Sequence, residues 1–307
     1  MKPDDFAIQR DSRYQKTLRR DTMRQQGRRM AHKLGVAYEQ AVIWPQWQHT
    51  RPAKPKTLST CIMTMNSEHR IGPLLEYIRP FSDEIVVAVD SKTTDNTFKV
   101  CQAQGLCDEL FVIQSDALTV NAGLEELVSR CHSNWILRLD DDEFPEPHFA
   151  HYKQGILSQQ KYTHYKMPRL HLNNINPLTW INDGYLYPDY QMRLFKNDTS
   201  LLSFPGAVGH LGIRCAGPKG RLNSINLIHL NLAINPRFKR EEKLATYIKR
   251  LNGEWVHPVN EHALLFEDFN YQIEAYNYPD AGFCERLTET TRQQRNTYES
   301  THAHSVS

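Results

Sequence analysis

Four adjacent carboxylates, Asp140-Asp141-Asp142-Glu143, directly follow the apolar run Trp135-Ile-Leu-Arg-Leu139. Like charges this close raise one another's pKa and cost stability unless a cation neutralises them. A divalent metal is the simplest such cation. Oxygen ligands suit Mg²⁺ or Mn²⁺, which in turn bridge the oxygens of a diphosphate. The competing reading is an acidic surface turn ahead of Pro145. Two other polar clusters favour the metal, because Thr64-Met-Asn66 and Asp90-Ser-Lys-Thr-Thr-Asp95 each close an apolar run in the same way.

The elements that position these clusters can be read from periodicity. Leu58 to Met65, Glu84 to Asp90, Leu110 to Ile113 and Trp135 to Leu139 are short, apolar and β-leaning, whereas Ile71 to Ile78 and Ala122 to Cys131 have helical spacing. Asp95 to Gly105 reads as a helix with an Asp cap and a Gly stop. Three β-α units in series predict an α/β fold with a doubly wound, mostly parallel sheet covered on both faces. Ligands of such sheets sit outside the carboxyl ends of the strands, where all three polar clusters fall. Past residue 143, His164 to Leu172, Gln191 to Phe195 and Leu222 to Leu230 are strand-like, and Arg237 to Leu251 is an amphipathic helix.

In this order, Thr64-Met-Asn66, Val89-Asp-Ser-Lys-Thr-Thr-Asp-Asn-Thr97 and Trp135-Ile-Leu-Arg-Leu-Asp-Asp-Asp-Glu143 resemble the three markers of family 2 glycosyltransferases with the GT-A (nucleotide-diphospho-sugar transferase) fold. Tyr187-Pro-Asp-Tyr-Gln-Met-Arg-Leu-Phe195, Val208-Gly-His210, and His229 followed by Lys243 and Tyr247 resemble the second half of members that add sugars to lipopolysaccharide core. The resemblance spans about residues 57–250. It implies that Asp90 reads the nucleotide base with Thr64 and Asn66 nearby, and that Asp140, Asp141 and Asp142 hold the ribose and a Mn²⁺ or Mg²⁺ ion. Asp142 is the first choice for the metal and Asp141 the second. His229, in Leu227-Ile-His-Leu230, would add an imidazole to the metal or else be a core histidine. Relatives often carry Glu after the Val-His pair; Leu211 stands there instead.

Arg193 suits bidentate pairing with a phosphate of the nucleotide sugar, or an ion pair with Asp189 or Glu143. An inverting transfer needs a carboxylate near the acceptor hydroxyl, for which Asp189 and Asp183 are the candidates. Asp183, ahead of Gly184, could equally cap a turn. Trp180, Tyr185, Tyr187 and Tyr190 surround these acids as a sugar platform or as core.

The chain of 307 residues has 37 Lys and Arg against 35 Asp and Glu and is 40% hydrophobic, which excludes disordered, collagen-like and coiled-coil classes. Its apolar runs are too short for a membrane span and its N-terminus is charged, so neither anchor nor signal peptide is expected. Six cysteines lack CxxC spacing, and a cytoplasmic protein with reduced thiols follows. Residues 1–33 carry ten Lys and Arg against four Asp, a net of +6, leaving about −4 for the remainder.

The expected layout is a helical basic extension with a Pro-containing linker over 1–56, a GT-A domain over 57–252, and a C-terminal segment over 253–307 that is disordered from about 288. Trp44-Pro-Gln-Trp47 and Arg51 to Lys56 read as extended linker. The activity implied is metal-dependent transfer from a nucleotide-diphosphate sugar to a glycan or lipid-linked saccharide. Alternatives are transfer to modified bases of DNA, with residues 1–33 tracking phosphates or another anionic surface, and a non-catalytic nucleotide-sugar or glycan binder.

Overall fold

The computed structural model describes residues 12–114, 123–183, 186–205, 212–250, 267 and 271–306. Much of the basic extension is helical, as expected: α1 (Ser12–Tyr38) runs into one wide turn, Glu39–Ile43, and then α2 (Trp44–His49). The latter corrects the extended reading of Trp44 to Trp47. Pro45 stands in the first turn of α2, where a missing N–H costs nothing. Nor does the chain separate at residue 56. Trp47 is buried in the main core, and a Cβ on Gly155 would lie 2.5 Å from the Cα of Trp47, so that glycine permits the close approach. Glu39 accepts four hydrogen bonds, from the backbone and side chains of Asn223 and Ser224, at 2.6–2.9 Å.

β1 (Leu58–Thr64) is buried at every position, as a central strand covered on both faces must be. Its side chains alternate between two cores. Ile62 packs with Leu74, Leu75 and Ile78 of α3 (Ile71–Ile78), whereas Cys61 and Met63 face the opposite side. β2 (Glu84–Asp90), α4 (Thr97–Gln104) and β3 (Glu109–Ile113) follow, and Gly105 ends α4 in the left-handed conformation at φ +61°. Next come α5 (Leu124–Ser129), whose Leu124, Leu127 and Val128 meet Cys61 and Met63, and β4 (Trp135–Asp140).

Beyond the acidic run stand β5 (Glu143–Pro145), α6 (His148–Leu157), β6 (His164–Ile175), β7 (Leu178–Ile181) and β8 (Asp189–Lys196). β9 (Leu202–Ser203) and β10 (Arg214–Cys215) form a separate ribbon. β11 (Lys219–Arg221), β12 (Leu227–His229), α7 (Asn231–Ile234), α8 (Arg237–Arg250), β13 (Ile273–Ala275) and α9 (Ala281–Val306) complete the chain.

The main sheet runs β13-β7-β6-β8-β4-β1-β2-β3. β4, β1, β2 and β3 are mutually parallel, and β8 joins antiparallel to both β4 and β6. This is the expected α/β architecture, with a parallel half helix-covered on both faces and an antiparallel half beside it. Winding reverses between β1 and β4, which opens a crevice at their carboxyl ends. The tail is not disordered from 288. Thr290, Thr291 and Gln294 of α9 are buried while Phe283 and Leu287 enter the core, so tertiary packing overrides a polar composition. Among the described residues no helix is long and apolar enough to cross a membrane.

His32 joins α1 to the sheet, its Nδ1 and Nε2 each 2.9 Å from the hydroxyls of Tyr190 and Tyr187. Burial, reinforced by the charge of Arg221, pushes its pKa down to about 4. The unfolded chain binds this proton near pH 6.5 and the folded one only near 4, so the contribution is lost as pH falls through that window. Urea unfolding between pH 7 and 4 is expected to show a smaller loss of stability in His32→Gln than in the parent; parallel losses would contradict this.

Candidate active site

The parallel register sets Asp140 beside Met63 and Thr64 beside Val89, so β1, β2 and β4 deliver their terminal polar groups to one edge. Four arginines surround the acidic run, Arg70 and Arg193 buried and Arg138 and Arg169 partly so, and they pair with Asp140, Asp141 and Glu143.

Asp141 is fully engaged. Arg70 grips it through Nε at 3.1 Å and Nη2 at 3.2 Å, Thr64 Oγ1 donates to it at 2.7 Å, and Ser67 Oγ donates to the same oxygen. Arg70 is braced in turn by the carbonyl of Asn66 and, on α9, by Gln294 Oε1 at 3.1 Å. Burial would weaken the hold of Arg70 on its proton, but Asp141 and Asp142 more than compensate. These contacts oppose the second-choice assignment of Asp141 to a metal.

Asp140 accepts from Arg138 Nη2 at 2.5 Å and from Arg193 Nη2. With a third of its side chain exposed, it keeps lone pairs for a further donor such as a hydroxyl. Glu143 is wholly buried and chelated by Arg193 through Nε and Nη2 at 2.7 Å each, with Arg169 Nη1 at 3.4 Å. Burial raises the Glu143 pKa, but the charge of Arg193 and then Arg169 brings it down to about 2. Arg193 is therefore part of the scaffold, which corrects the phosphate-pairing expectation in favour of its ion-pair alternative.

Asp142 differs. Its one ion-pair partner among the described residues is His229, with Nε2 3.4 Å from Oδ2. Burial works against its charge, yet His229 and Arg70 hold the carboxyl well below the usual range. His229 Nδ1 stands 2.9 Å from Nδ1 of His171, and His171 Nε2 is 3.7 Å from Asp189 Oδ2. Burial pushes His171 down to about 4, so it is neutral at pH 7. Its proton belongs on Nε2, facing the Asp189 carboxylate, so its Nδ1 accepts and His229 Nδ1 donates. In its neutral form His229 would turn the Nε2 lone pair toward Asp142, and in its protonated form it would donate there. In the neutral form two acceptors would face each other, a pairing that a proton or a metal ion between them makes favourable. Among the described residues no group of three or more His, Cys, Asp or Glu side chains is arranged to cage a metal. Mg²⁺ is commonly held by one or two carboxylates with the remainder from phosphate and water, and Asp142 would supply such a carboxylate.

The other expected residues fall around this centre. Asp90 is buried at the end of β2 and accepts from the Lys92 amide at 2.8 Å. Asn66, at φ 52°, ties two loops together by accepting from the Thr94 amide at 2.8 Å. Asp189 is chelated by Arg169 at 2.9 and 2.7 Å and receives Gln191 Nε2 at 2.7 Å. Against burial, Arg169 holds its carboxyl far below the ordinary range. The Asp183 carbonyl caps a turn, accepting from Leu186 and Tyr187. Trp180, Tyr187 and Tyr190 pack toward α1 instead of around the acids, Lys243 reaches Asn231 Oδ1 at 3.0 Å, and Tyr185, His210 and Leu211 lie outside the described residues.

Sequence reasoning passed over Arg70, Ser67, Arg138, Arg169 and His171. The signal for one pair was present: Arg169 and His171 stand two apart on a strand and so share a face.

No protein-family model matches the chain. A stretch of 88 residues, 29% of the chain, is 32% identical to an uncharacterized glycosyltransferase of Rickettsia typhi, of which it covers 28%. Among solved structures the chain is similar to a mannosyltransferase of Pyrobaculum calidifontis in complex with GDP-Man and Mn²⁺ (12% identity, TM-score 0.40, 80% of this chain and 79% of that one). It is also similar to Staphylococcus aureus TarS (14%, 0.39, 68% and 69%). A third is glucosyl-3-phosphoglycerate synthase of Mycobacterium tuberculosis with Mn²⁺, UDP-glucose and glycerol 3-phosphate (17%, 0.37, 52% and 67%). With TM-scores below 0.5, the fold rests on the strand order above. The curated match spans little more than a quarter of its relative's length.

Removing one partner of a buried ion pair strands the other. Glu143→Gln is expected to lower the unfolding free energy by about 3–5 kcal/mol in urea; unaltered stability would contradict the scaffold role of Arg193.

Proposed function

We propose that this chain is a GT-A glycosyltransferase, moving a sugar from a nucleotide-diphosphate donor to an acceptor hydroxyl with the help of Mn²⁺ or Mg²⁺. The observation that carries the reading is the Asp142–His229 pair, two facing metal donors at the strand-order switch, beside the buried carboxylate of Asp90. In this reading Asp90 accepts a base N–H, Thr64 and Asn66 shape the loop around the nucleoside, and Asp140 accepts from a ribose hydroxyl. The metal, held by Asp142 and His229, would neutralise charge on the diphosphate leaving group.

The chemistry is a displacement at the anomeric carbon. Its bond to the diphosphate oxygen breaks, a bond to the acceptor oxygen forms, and the hydroxyl proton passes to a base. Asp189, so tightly paired with Arg169, is a weak base. We assign it to orienting His171 and leave Asp183, beyond the end of β7, as the acceptor-side carboxylate of an inverting transfer. The acceptor would be a glycan or lipid-linked saccharide and the setting cytoplasmic. The resemblance to glycosyltransferases in order of motifs, and the partial match to the Rickettsia typhi protein, support this reading.

Titration with UDP-, GDP-, CMP- and dTDP-sugars, with and without Mn²⁺, tests it by calorimetry and turnover. One donor class is expected to bind in a metal-dependent manner, and Asp142→Asn, which removes a proposed direct ligand, to weaken that binding by more than the roughly 10–100-fold that losing a ligand's hydrogen-bond partner costs. No binding of any donor with either ion, or full binding by Asp142→Asn, would overturn the reading.

A further inference from the structure

The outer face of α1 presents a row of apolar side chains. Of the six large apolar residues exposed among the described residues, four fall in this short stretch: Met30, Leu34, Tyr38 and Val42. The first three are 66, 63 and 58% exposed. Residues four apart share one face of a helix, and Val42, in the wide turn after α1, continues the spacing. At 1.5 Å per residue the row is about 18 Å long. Single apolar side chains on a surface are ordinary, whereas four in line mark a contact.

The opposite face of the helix fixes this orientation. His32, two residues from both Met30 and Leu34 and so on the far side of the helix, is held by Tyr187 and Tyr190. Glu39 is held by Asn223 and Ser224. The row cannot turn inward without breaking these bonds.

Positive charge flanks the row. Arg24 and Lys33 are exposed, and at 100° per residue they project roughly 80–100° to either side of Leu34. No Asp or Glu stands between Asp21 and Glu39, and Glu39 is buried. Residues 1–33 as a whole are net +6. Met, Leu and Tyr edged by cations is the pattern of a helix lying in a membrane interface, with apolar side chains at the boundary of headgroups and acyl chains and Lys or Arg on lipid phosphates. Other occupants fit less well. A second copy would bring like charges together, and a strip about 18 Å long is far short of the roughly 800 Å² per partner that a stable dimer buries. Nucleic acid would answer the cations and leave the apolar row in water.

We propose that the outer face of α1 docks on an anionic phospholipid bilayer, with Met30, Leu34, Tyr38 and Val42 in the interface and Arg24 and Lys33 on headgroup phosphates. The inference stands apart from the glycosyltransferase reading, because it uses none of the residues of the acidic run or the metal pair.

The test is co-sedimentation of the full chain with vesicles of phosphatidylcholine, alone or with about 30 mol% phosphatidylglycerol, at physiological ionic strength. Saturable binding to the anionic vesicles is expected, at least about tenfold tighter than to the neutral ones, a factor that two cations at such a surface supply. Met30→Ser combined with Leu34→Ser is expected to weaken that binding by about tenfold or more, and Lys33→Glu by about tenfold. Both variants should keep the parental unfolding midpoint, since the exchanged side chains are exposed. No binding to anionic vesicles, equal binding to neutral ones, or undiminished binding by the double variant would overturn the assignment. So would self-association or DNA binding that the double variant abolishes, which would give this face to another partner. No nucleotide sugar enters the experiment, so its failure and that of the glycosyltransferase reading are separate results.

Discussion

Three consecutive carboxylates at the end of a buried strand are tolerable only where positive charge meets each of them. Two are met from within the chain. Arg138 and Arg193 take Asp140, and Arg70, with Thr64 and Ser67, takes Asp141. The third, Asp142, faces Nε2 of His229, whose Nδ1 is committed to His171. Internal neutralisation thus serves a purpose beyond stability. In the proposed reading it leaves Asp142, of the three, to an external cation.

The rest of the architecture supports that division. Parallel pairing of β1 with both β2 and β4 brings the charges together, and β8 carries Arg193 across β4 to meet them. β12 places His229 against His171 of β6 and opposite Glu143 of β5, so three strands set the geometry of one imidazole. The long C-terminal helix acts at a distance through Gln294, Arg70 and Asp141. On the opposite flank α1 is bound in by Glu39 and His32.

The parallel half of the fold was legible because burial on both faces writes itself as short Val- and Ile-rich runs, and because Asp95 and Gly105 bracket α4 by local rules alone. The acidic run, Asp90 and His229 were legible for the same reason, standing at strand ends. What escaped depends on long-range contact. Whether Arg193 meets a phosphate or Glu143 is set by pairing between strands some fifty residues apart, and no local pattern encodes it. The polar surface of α9 concealed the Thr290 and Gln294 contacts that order it, and Pro45 suggested an extended chain where it starts a helical turn. Arg70 was invisible because its partner, Asp141, is 71 residues away.

The central claim, that Asp142 and His229 hold the metal while Asp141 does not, is tested most directly by electron-nuclear double resonance on Mn²⁺ bound with UDP, using histidine labelled with ¹⁵N. The account predicts coupling to one imidazole nitrogen that disappears in His229→Gln, with Mn²⁺ binding lost in Asp142→Asn and retained in Asp141→Asn. Coupling that survives His229→Gln, or binding that depends on Asp141 and not on Asp142, would contradict it.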